Sequence, residues 1–207
     1  MNIMLASGFI VAAYLLGSVS GSLLLGKLRG VDIRQVGSGN AGGTNALRTQ
    51  GWQFALAVVI VDIGKGSLAA WLPTISNHSE NWLSFACAFA AIVGHMYPVF
   101  YGFRGGKGAA TWIGGLVILS PFALLAFLLS ALVVLIATGW VGLSTITASV
   151  VSAVLIANSE GIEGGLWAML AALLIVIAHR ENIQRMLAGS ENRFDKVTLG
   201  YWLRRRK

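Results

Sequence analysis

Long apolar segments alternate with short polar ones along the chain, which is the pattern of a membrane protein with several transmembrane helices. The apolar segments cover residues 3–26, 52–72, 82–101, 109–139, 143–157 and 166–178. The fourth has 31 residues, and a helix of that length, about 46 Å, is too long for a hydrocarbon core about 30 Å thick. Proline favours the first turn of a helix, so we expect Ser120-Pro121 to divide this segment into two helices.

The positively charged residues predict how the chain crosses the membrane. With seven helices, 14 of the 15 Lys and Arg residues fall on one side, and Lys65 is the exception. The loops on the other side, residues 73–81 and 158–165, carry glutamates and no Lys or Arg. Cytoplasmic loops are enriched in Lys and Arg, so we predict seven spans with the N-terminus outside and the C-terminus cytoplasmic. The first segment lacks a preceding basic stretch, so we interpret it as an uncleaved helix rather than a signal peptide.

The composition supports an all-α polytopic membrane fold and excludes several other classes of protein. Of the 207 residues, 56% are hydrophobic and 11% are charged, and the mean hydropathy is +0.75. A soluble domain of this size cannot bury so much apolar surface. The single cysteine lies in an apolar segment, and no His/Cys cluster is present in the sequence, so we expect neither a disulfide scaffold nor a metal site. The net charge of +7 comes from basic residues whose distribution along the chain matches the predicted membrane topology, so we expect no nucleic-acid partner. We predict one domain over residues 1–207.

Polar residues are concentrated in three stretches on the predicted cytoplasmic side, at about residues 28–51, 102–108 and 179–192. The first contains Gly37-x-Gly39-x-x-Gly42, which has the spacing of the dinucleotide-binding fingerprint. That fingerprint requires a preceding β-strand, whereas this stretch follows an apolar helix, so we reject a dinucleotide site. Glycines let backbone N–H groups converge on an anion, and the stretch also carries side-chain donors: Ser38, Asn40, Thr44, Asn45 and Arg48. These residues favour a phosphate site, and a flexible polar loop is the alternative.

The second stretch, Gly105-Gly106-Lys107-Gly108, stands immediately before an apolar helix. A helix N-terminus with free N–H groups and a lysine favours phosphate binding. The stretch differs from a Walker A loop, because Tyr101 replaces the first glycine and Gly108 replaces the Ser/Thr that binds magnesium. We therefore expect a phosphate site without a nucleotide, and an ordinary basic turn is the alternative.

Titratable residues mark two further places. His179 and Asn182 are three residues apart at the end of the last apolar segment, so we expect them on one helix face, where they act on substrate or cap the helix. His95 lies at a comparable depth in the third segment. Asp62 and Lys65 are also three apart, deep in the second segment, and we expect them to form an ion pair because a lone charge there is costly. Direct contact with substrate is the alternative.

Together these motifs resemble the bacterial acyl-phosphate-dependent glycerol-3-phosphate acyltransferases over nearly the whole chain. The segments that carry the resemblance are Gly17-Ser18, Asp32-Ile33-Arg34, Asp62-x-x-Lys65-Gly66, and residues 37–45, 93–100, 105–108, 179–185 and 189–192. The resemblance implies catalytic roles for Ser38, Arg48, His179 and Asn182 and a structural role for Glu191, beside the structural ion pair expected above for Asp62 and Lys65. With the loop chemistry above, the predicted substrate- or phosphate-binding residues are Gly37, Gly39, Asn40, Asn45, His95, Gly105, Gly106, Lys107, Gly108 and Ser144.

Two places depart from the family's pattern. Gly43 stands where the family usually has alanine, which we expect only to loosen the loop. The stretch from Thr138 to Ser144 lacks the arginine and the tyrosine that the family usually carries before its sixth helix, although Ser144 itself matches. A substrate contact at Ser144 is therefore expected without an arginine from the same loop.

The resemblance implies transfer of a fatty acyl group from acyl phosphate to the 1-hydroxyl of sn-glycerol 3-phosphate, giving lysophosphatidic acid and phosphate. Both substrates carry phosphate, which suits two glycine-rich stretches, and an activated acyl phosphate needs no metal or other cofactor. We expect the site at the cytoplasmic face of the bacterial inner membrane, among membrane lipids, and a soluble enzyme that produces acyl phosphate is a candidate partner.

Two other functions and one mechanistic question remain open at the level of sequence. A transporter for a small organic phosphate and a noncatalytic membrane scaffold are the alternatives. Transporters usually place polar groups near the membrane midplane, and only Asp62 and Lys65 are deep in this chain. Because the donor is already activated, we expect direct transfer to glycerol 3-phosphate rather than an acyl-enzyme on Ser38.

Overall fold

The computed structural model describes residues 3–76 and 81–204, and every regular element in this part of the chain is helical. The predicted all-α class is confirmed. In chain order the α-helices are α1 Ile3–Gly17, α2 Gly21–Leu28, α3 Gly43–Gln50, α4 Trp52–Trp71, α5 Asn81–Met96, α6 Ala109–Leu119, α7 Pro121–Thr138, α8 Val141–Ser159, α9 Gly161–Ala178, α10 Arg180–Leu187 and α11 Leu199–Arg204. Short 3-10 turns lie at Ile33–Gln35, Leu72–Ser76, Val99–Tyr101 and Asp195–Val197. Glu80 of the predicted outer loop and the basic residues 205–207 lie outside the described residues.

Five helical segments are long and apolar enough to cross a membrane by themselves: Trp52–Ile75, Asn81–Tyr101, Pro121–Thr138, Val141–Ser159 and Gly161–Ala178. Helices α1 and α2 form a sixth candidate if they are counted as one span with a 45° bend. Helix α6 has 11 residues, which is shorter than the roughly 20 residues of a full span. The chain is a multi-pass membrane protein with five or six candidate spans in its described part, and the count of seven stays a prediction.

The bend between α1 and α2 was not predicted, because residues 3–26 were interpreted as one apolar segment although small and polar residues interrupt it at positions 17–22. Gly17 packs so closely against the backbone of Ala91 in α5 that a Cβ at this position would clash. At the break, the carbonyl groups of Gly17 and Val19 accept hydrogen bonds from Lys65 Nζ at 2.8 and 2.9 Å. A buried lysine from α4 thus satisfies backbone carbonyls near the interruption, which an apolar environment requires.

The division of the fourth apolar segment is confirmed. Helix α6 ends at Leu119, Ser120 is extended with φ −161° and ψ 95°, and Pro121 is the first residue of α7. Proline has no backbone N–H to lose and its fixed φ suits the first helical turn. This short dipeptide therefore separates two helices that the hydrophobic pattern alone would join.

The helices form two compact units, Met1–Ser120 and Pro121–Lys207. In the first unit α1 packs against α5 and α4 packs against α6, and in the second unit α8 packs against both α7 and α9. Small residues allow these close approaches, since Gly66 of α4 touches the Thr111 carbonyl and Gly114 of α6 touches the Ile63 carbonyl. The single domain over residues 1–207 stays a prediction.

Candidate active site

One buried side chain holds the first glycine-rich stretch in shape. Asn45 of α3 is 1% exposed, and its Nδ2 donates to the carbonyl groups of Ile33 and Val36 at 3.0 and 2.9 Å. Its Oδ1 accepts from the backbone N–H of Ser38 at 2.9 Å. The donor and acceptor functions of the amide are thus used within the loop. The structure shows that the Asn45 amide shapes the loop, and its predicted substrate binding stays a prediction.

Ser38 is exposed between two glycines that have left-handed backbone. Gly37 and Gly39 have φ of 60° and 72°, a conformation that other residues adopt only at a cost. The glycines therefore allow the turn that presents Ser38 to its surroundings. Asn40 is half-buried two residues later, and Arg48 is exposed in the last turn of α3.

The second glycine-rich stretch uses its glycines for packing. The backbone N–H groups of Gly105 and Gly106 donate to the carbonyl groups of Met96 and His95, both at 3.1 Å. The expectation that these two N–H groups are free for a phosphate is therefore wrong. The turn is instead attached to the end of α5 by two hydrogen bonds, and the half-buried Lys107 follows it.

The start of α6 retains the character of an anion site. Gly108 has a φ of 85° and precedes Ala109, the first residue of the helix. The N–H groups of a first helical turn have no acceptor within the helix, and they carry a partial positive charge. The hydroxyl of Thr111 in this turn is buried and has no hydrogen-bond partner among the described residues. The first turn of α6, rather than the pair of glycines before it, is where an anion would find donors.

The two glycine-rich stretches meet within the first unit. Gly106 lies between the imidazole of His95 and the backbone of Ala41, which belongs to the first stretch. A Cβ added to Gly106 would lie 2.6 Å from the carbonyl oxygen of Ala41 and would also collide with His95 Nε2. Glycine at this position therefore lets the two loops touch.

Arg34 makes a second link between the two loops. Its Nε and one terminal nitrogen donate to the carboxylate of Asp32 at 3.0 and 2.9 Å. Its other terminal nitrogen donates to the carbonyl groups of Tyr101 and Arg104 at 3.0 and 3.1 Å. The hydrogen bond from Arg34 lowers the pKa of Asp32, and the same bond raises the pKa of Arg34. No role was predicted for this pair, although opposite charges two residues apart beside a glycine-rich stretch were a usable signal.

Asp62, Lys65 and His95 form a buried cluster beside the second stretch. Lys65 Nζ lies 3.0 Å from Asp62 Oδ1, which confirms the predicted ion pair, and 2.7 Å from His95 Nδ1. Asp62 also accepts from the N–H of Gly21 at 3.0 Å, and the three side chains are at most 5% exposed. His95 was predicted to bind substrate, but its ring packs inside this cluster and against Gly106. Since the deep charges neutralise one another in the helix packing, the feature that favoured a transporter is accounted for.

In the second unit, His179 lies where α9 ends and α10 begins. The predicted single helix face is therefore interrupted, and Asn182 belongs to the next helix. His179 is 6% exposed, and its Nδ1 lies 2.8 Å from the carbonyl oxygen of Ile175. A carbonyl only accepts, so Nδ1 carries the hydrogen, and in the neutral ring Nε2 then carries the lone pair.

Asn182 is fixed by two neighbours in the same unit. Its Nδ2 donates to Glu191 Oε1 at 2.7 Å, and Arg185 Nε donates to Glu191 Oε2 at 2.7 Å. The Cα of Gly142 packs against Asn182, where an added Cβ would lie 3.0 Å from its side chain. Ser144 follows one helical half-turn later in α8, is 4% exposed, and donates to the carbonyl of Trp140 at 2.8 Å. The start of α8 and the segment around Asn182 therefore form one neighbourhood.

A family model described as glycerol-3-phosphate acyltransferase matches residues 7–189 of this chain. The chain belongs to the glycerol-3-phosphate acyltransferase family. The acyltransferase of Aquifex aeolicus is 40% identical over 187 residues, which cover 89% of this chain and 97% of the relative. That of Thermus thermophilus is 40% identical over 188 residues, which cover 89% and 92%.

Solved structures of an acyltransferase of this family have the same fold. The crystal structure of PlsY (YgiH), an integral membrane glycerol 3-phosphate acyltransferase, in its glycerol 3-phosphate form aligns with a TM-score of 0.86 and 37% identity, over 91% of this chain and 95% of that one. The lysophosphatidic acid form of PlsY aligns with a TM-score of 0.84 and 36% identity over the same shares. The present acyltransferase is thus an enzyme of phospholipid synthesis with an integral membrane fold.

Proposed function

We propose that this acyltransferase moves a fatty acyl group from acyl phosphate to the 1-hydroxyl of sn-glycerol 3-phosphate and releases lysophosphatidic acid and phosphate. The observation that carries the proposal is the contact between the two glycine-rich stretches, in which Gly106 touches Ala41 and Arg34 bonds to the Tyr101 carbonyl. This contact puts the exposed Ser38 turn and the α6 N-terminus in one unit. Two phosphate-bearing substrates need such adjacent donors. The glycerol 3-phosphate and lysophosphatidic acid forms of PlsY support the acceptor and the product.

The proposal assigns phosphate binding to cations and to the first turn of α6. Arg48 and Lys107 neutralise phosphate charge, Ser38 donates to a phosphate oxygen, and the N–H groups after Gly108 receive the second anion. The other predicted residues of these loops set their shape. In this assignment Gly37, Gly39, Asn45, Gly105 and Gly106 place the donors, and Asn40 completes the first turn.

An acyl phosphate donor suits this chain for three reasons. The mixed anhydride is already activated, so positioning and charge neutralisation supply much of the rate. A groove of about 330 Å³ beside the Asp32/Arg34 pair is basic at Lys27 and apolar at Leu23 and Val31, which suits an anionic amphiphile. The sequence also lacks a His-x4-Asp motif, since Phe100 and Gln184 stand five residues after its two inner histidines, His95 and His179.

In the proposed reaction the 1-hydroxyl oxygen of glycerol 3-phosphate bonds to the acyl carbon. The bond from that carbon to the phosphate oxygen breaks, and phosphate leaves with the electron pair. His179 accepts the hydroxyl proton at Nε2, because its Nδ1 is committed to the Ile175 carbonyl. Asn182, held by Glu191, orients the acceptor. Asp62, Lys65 and His95 support the second stretch from inside the membrane.

The acyltransfer is tested with purified protein, palmitoyl phosphate and labelled glycerol 3-phosphate. We expect one lysophosphatidic acid for each phosphate released, and no product when palmitoyl-CoA replaces palmitoyl phosphate. The Arg48→Ala variant is the control for dependence on the site. Turnover with palmitoyl-CoA but not with palmitoyl phosphate would refute the assigned donor.

Direct transfer is tested by incubation with labelled acyl phosphate alone. No label should remain on Ser38 after denaturation, and initial rates should show a ternary complex. A trapped acyl-Ser38 that passes its acyl group to added glycerol 3-phosphate would establish the covalent route instead.

The proposed topology places the site at the cytoplasmic face of the bacterial inner membrane, with seven spans in one domain, the N-terminus outside and the C-terminus inside. It is supported by the distribution of Lys and Arg and by the separation of α6 from α7. Cysteines introduced at exposed Leu187 and Ile162 test it in a Cys87→Ala background. An impermeant thiol reagent added to right-side-out vesicles should label position 162 and spare position 187.

A further inference from the structure

Beyond the matched residues 7–189, the chain returns to the turn between α7 and α8. Arg193 Nε donates to the Thr138 carbonyl at 3.1 Å, and the backbone N–H of Phe194 donates to the Gly139 carbonyl at 2.9 Å. We call residues 193–198 the strap. Its first two residues thus hold two consecutive carbonyls of this turn, within the second unit.

Packing reinforces the two hydrogen bonds. The guanidinium carbon of Arg193 lies 5.8 Å from the ring centroid of Trp140, within the range of a cation–π contact. Thr198 at the end of the strap is 5% exposed, and a Cβ added to Gly139 would lie 3.0 Å from its methyl group. Gly139 also has a φ of 75°, so both the backbone and the space favour glycine opposite the strap.

The held turn fixes the hydroxyl of Ser144. The carbonyl of Trp140 accepts from both the backbone N–H and the side-chain Oγ of Ser144, at 3.0 and 2.8 Å. A serine hydroxyl has one hydrogen, so a hydroxyl that donates to a carbonyl turns its lone pairs outward. Such an oxygen accepts from a hydroxyl group of a substrate more readily than it donates to a phosphate.

The strap begins two residues after Glu191, which holds Asn182, and Asn182 packs against Gly142 of α8. The elements that position Ser144 and Asn182 are therefore consecutive in the chain. The proposed function assigns Asn182 to glycerol 3-phosphate rather than to the acyl donor, and Ser144 lies two residues after the Gly142 that packs against Asn182.

We propose that Arg193 is a positioning residue, which fixes the Trp140 turn so that Ser144 accepts a hydrogen bond from a glycerol hydroxyl of glycerol 3-phosphate. The proposal rests on the proposed function for the identity of this substrate. The turn before Ser144 has no arginine of its own, and in this proposal Arg193 of the strap supplies one. The proposal also predicts that loss of Arg193 affects the KM of only one of the two substrates. A residue that only stabilised the fold would not show that selectivity.

Kinetics of Arg193→Ala test the proposal. We expect a rise of about tenfold in KM for glycerol 3-phosphate, the size of the one hydrogen bond that Ser144 would lose to the substrate. The KM for palmitoyl phosphate should change by less than about twofold, since the contacts of Arg193 given above hold the turn at Thr138 and Trp140. Arg193→Lys keeps the charge near Trp140 but loses the planar fork, so its KM should be intermediate. Lys196→Ala, the same loss of charge at an exposed strap residue, should match the wild type.

A double-mutant comparison shows whether Arg193 acts through Ser144. In a Ser144→Ala background, Arg193→Ala should raise the KM for glycerol 3-phosphate by less than about twofold, because the group it positions is gone. If the rises in KM caused by Ser144→Ala and Arg193→Ala multiply in the double variant, the proposal is overturned. Equal rises in the KM of both substrates would overturn it as well. Calorimetric binding of glycerol 3-phosphate needs no acyl donor and should show the same tenfold weakening. Wild-type protein that binds glycerol 3-phosphate but fails to turn over would count against the proposed donor, whereas unchanged binding in Arg193→Ala would count against the strap.

Discussion

The two glycine-rich stretches of the first unit have similar compositions and different physics. In the first, Gly37 and Gly39 supply left-handed backbone, and a buried amide, Asn45, holds the turn that exposes Ser38. In the second, Gly105 and Gly106 donate their N–H groups to the end of α5, and Gly106 makes room for Ala41 and His95. Glycine content by itself therefore does not predict a backbone anion site. What matters is whether the N–H groups already have acceptors.

The supports of the two stretches differ as well. The first is held by the hydrogen bonds of one buried amide, Asn45, whereas the second packs against His95, which contacts the buried pair of Asp62 and Lys65. Disturbing the buried support should therefore cost stability, and disturbing the exposed groups should cost binding. The following variants separate these two outcomes.

Removing one partner of the buried cluster should have the largest effect. Asp62→Asn or Lys65→Met alone should destabilise the protein by about 3–5 kcal/mol, because each leaves an unpaired charge inside the membrane. The double variant should recover part of this loss. Thermal unfolding in detergent measures all three, and strictly additive losses would show that the two side chains are independent.

The support of the first stretch comes next. Asn45→Ala removes three hydrogen bonds and leaves the buried Ile33 carbonyl without its donor, at a cost of about 2–3 kcal/mol. Asn45→Asp keeps the acceptor for the Ser38 N–H but turns a buried carboxylate oxygen toward the Ile33 and Val36 carbonyls, so it should lose at least as much stability. Ser38→Ala is the control in the same loop, because an exposed hydroxyl contributes little stability although the proposed function needs it. A Ser38→Ala protein as unstable as Asn45→Ala would contradict the division between support and binding.

Gly106→Ala tests the contact between the stretches. The added Cβ would lie 2.6 Å from the Ala41 carbonyl oxygen, and crowding of this kind costs about 1–3 kcal/mol. Since the contact joins both loops, we expect the KM of at least one phosphate-bearing substrate to rise as well. Gly64→Ala is the matched control, because nothing lies within 4 Å of its Cβ position. Unfolding temperature and KM measured together show whether the contact matters. If Gly106→Ala has the same unfolding temperature and KM values as Gly64→Ala, the contact does not matter.

Much of this architecture follows from local sequence signals, and the exceptions share one physical cause. The break at Ser120-Pro121 and the Asp62/Lys65 pair were predictable, because proline stereochemistry and i, i+3 spacing are local. The bend after Gly17 and the burial of Asn45 were not, because each depends on a partner that is distant in sequence or on loop packing. The proposed role of Arg193 was hidden for the same reason, since Thr138 and Trp140, which it contacts, lie 53 to 55 residues earlier.

Lys107 should affect binding more than stability. Lys107→Gln keeps most of the side-chain length and removes the charge, so we expect about a tenfold rise in the KM of a phosphate-bearing substrate, or about 1.4 kcal/mol. The unfolding temperature should change little, in contrast to Gly106→Ala next to it. Unchanged KM values for both substrates would remove Lys107 from the proposed phosphate site.

The link through Arg34 should give the smallest effect, and that effect should depend on pH. The hydrogen bond from Arg34 lowers the pKa of Asp32 in the folded protein, so the folded carboxylate ionises more readily than the unfolded one, whose pKa is about 3.9. The stabilisation is therefore complete above that value and is lost as the pH falls through the lower folded pKa. A half-exposed pair of this kind contributes roughly 0.2–1 kcal/mol. Wild type should unfold at a higher temperature than Asp32→Asn at pH 6, and this difference in unfolding temperature should narrow below about pH 4. Glu181→Gln is the control and should show no comparable difference at pH 6, because the Glu181 carboxylate lies 4.0 Å from Arg185 at an exposed site. A gap for Asp32→Asn that stays constant with pH would mean that the variant disturbs the loop through its shape rather than through the charge that ties the two stretches together.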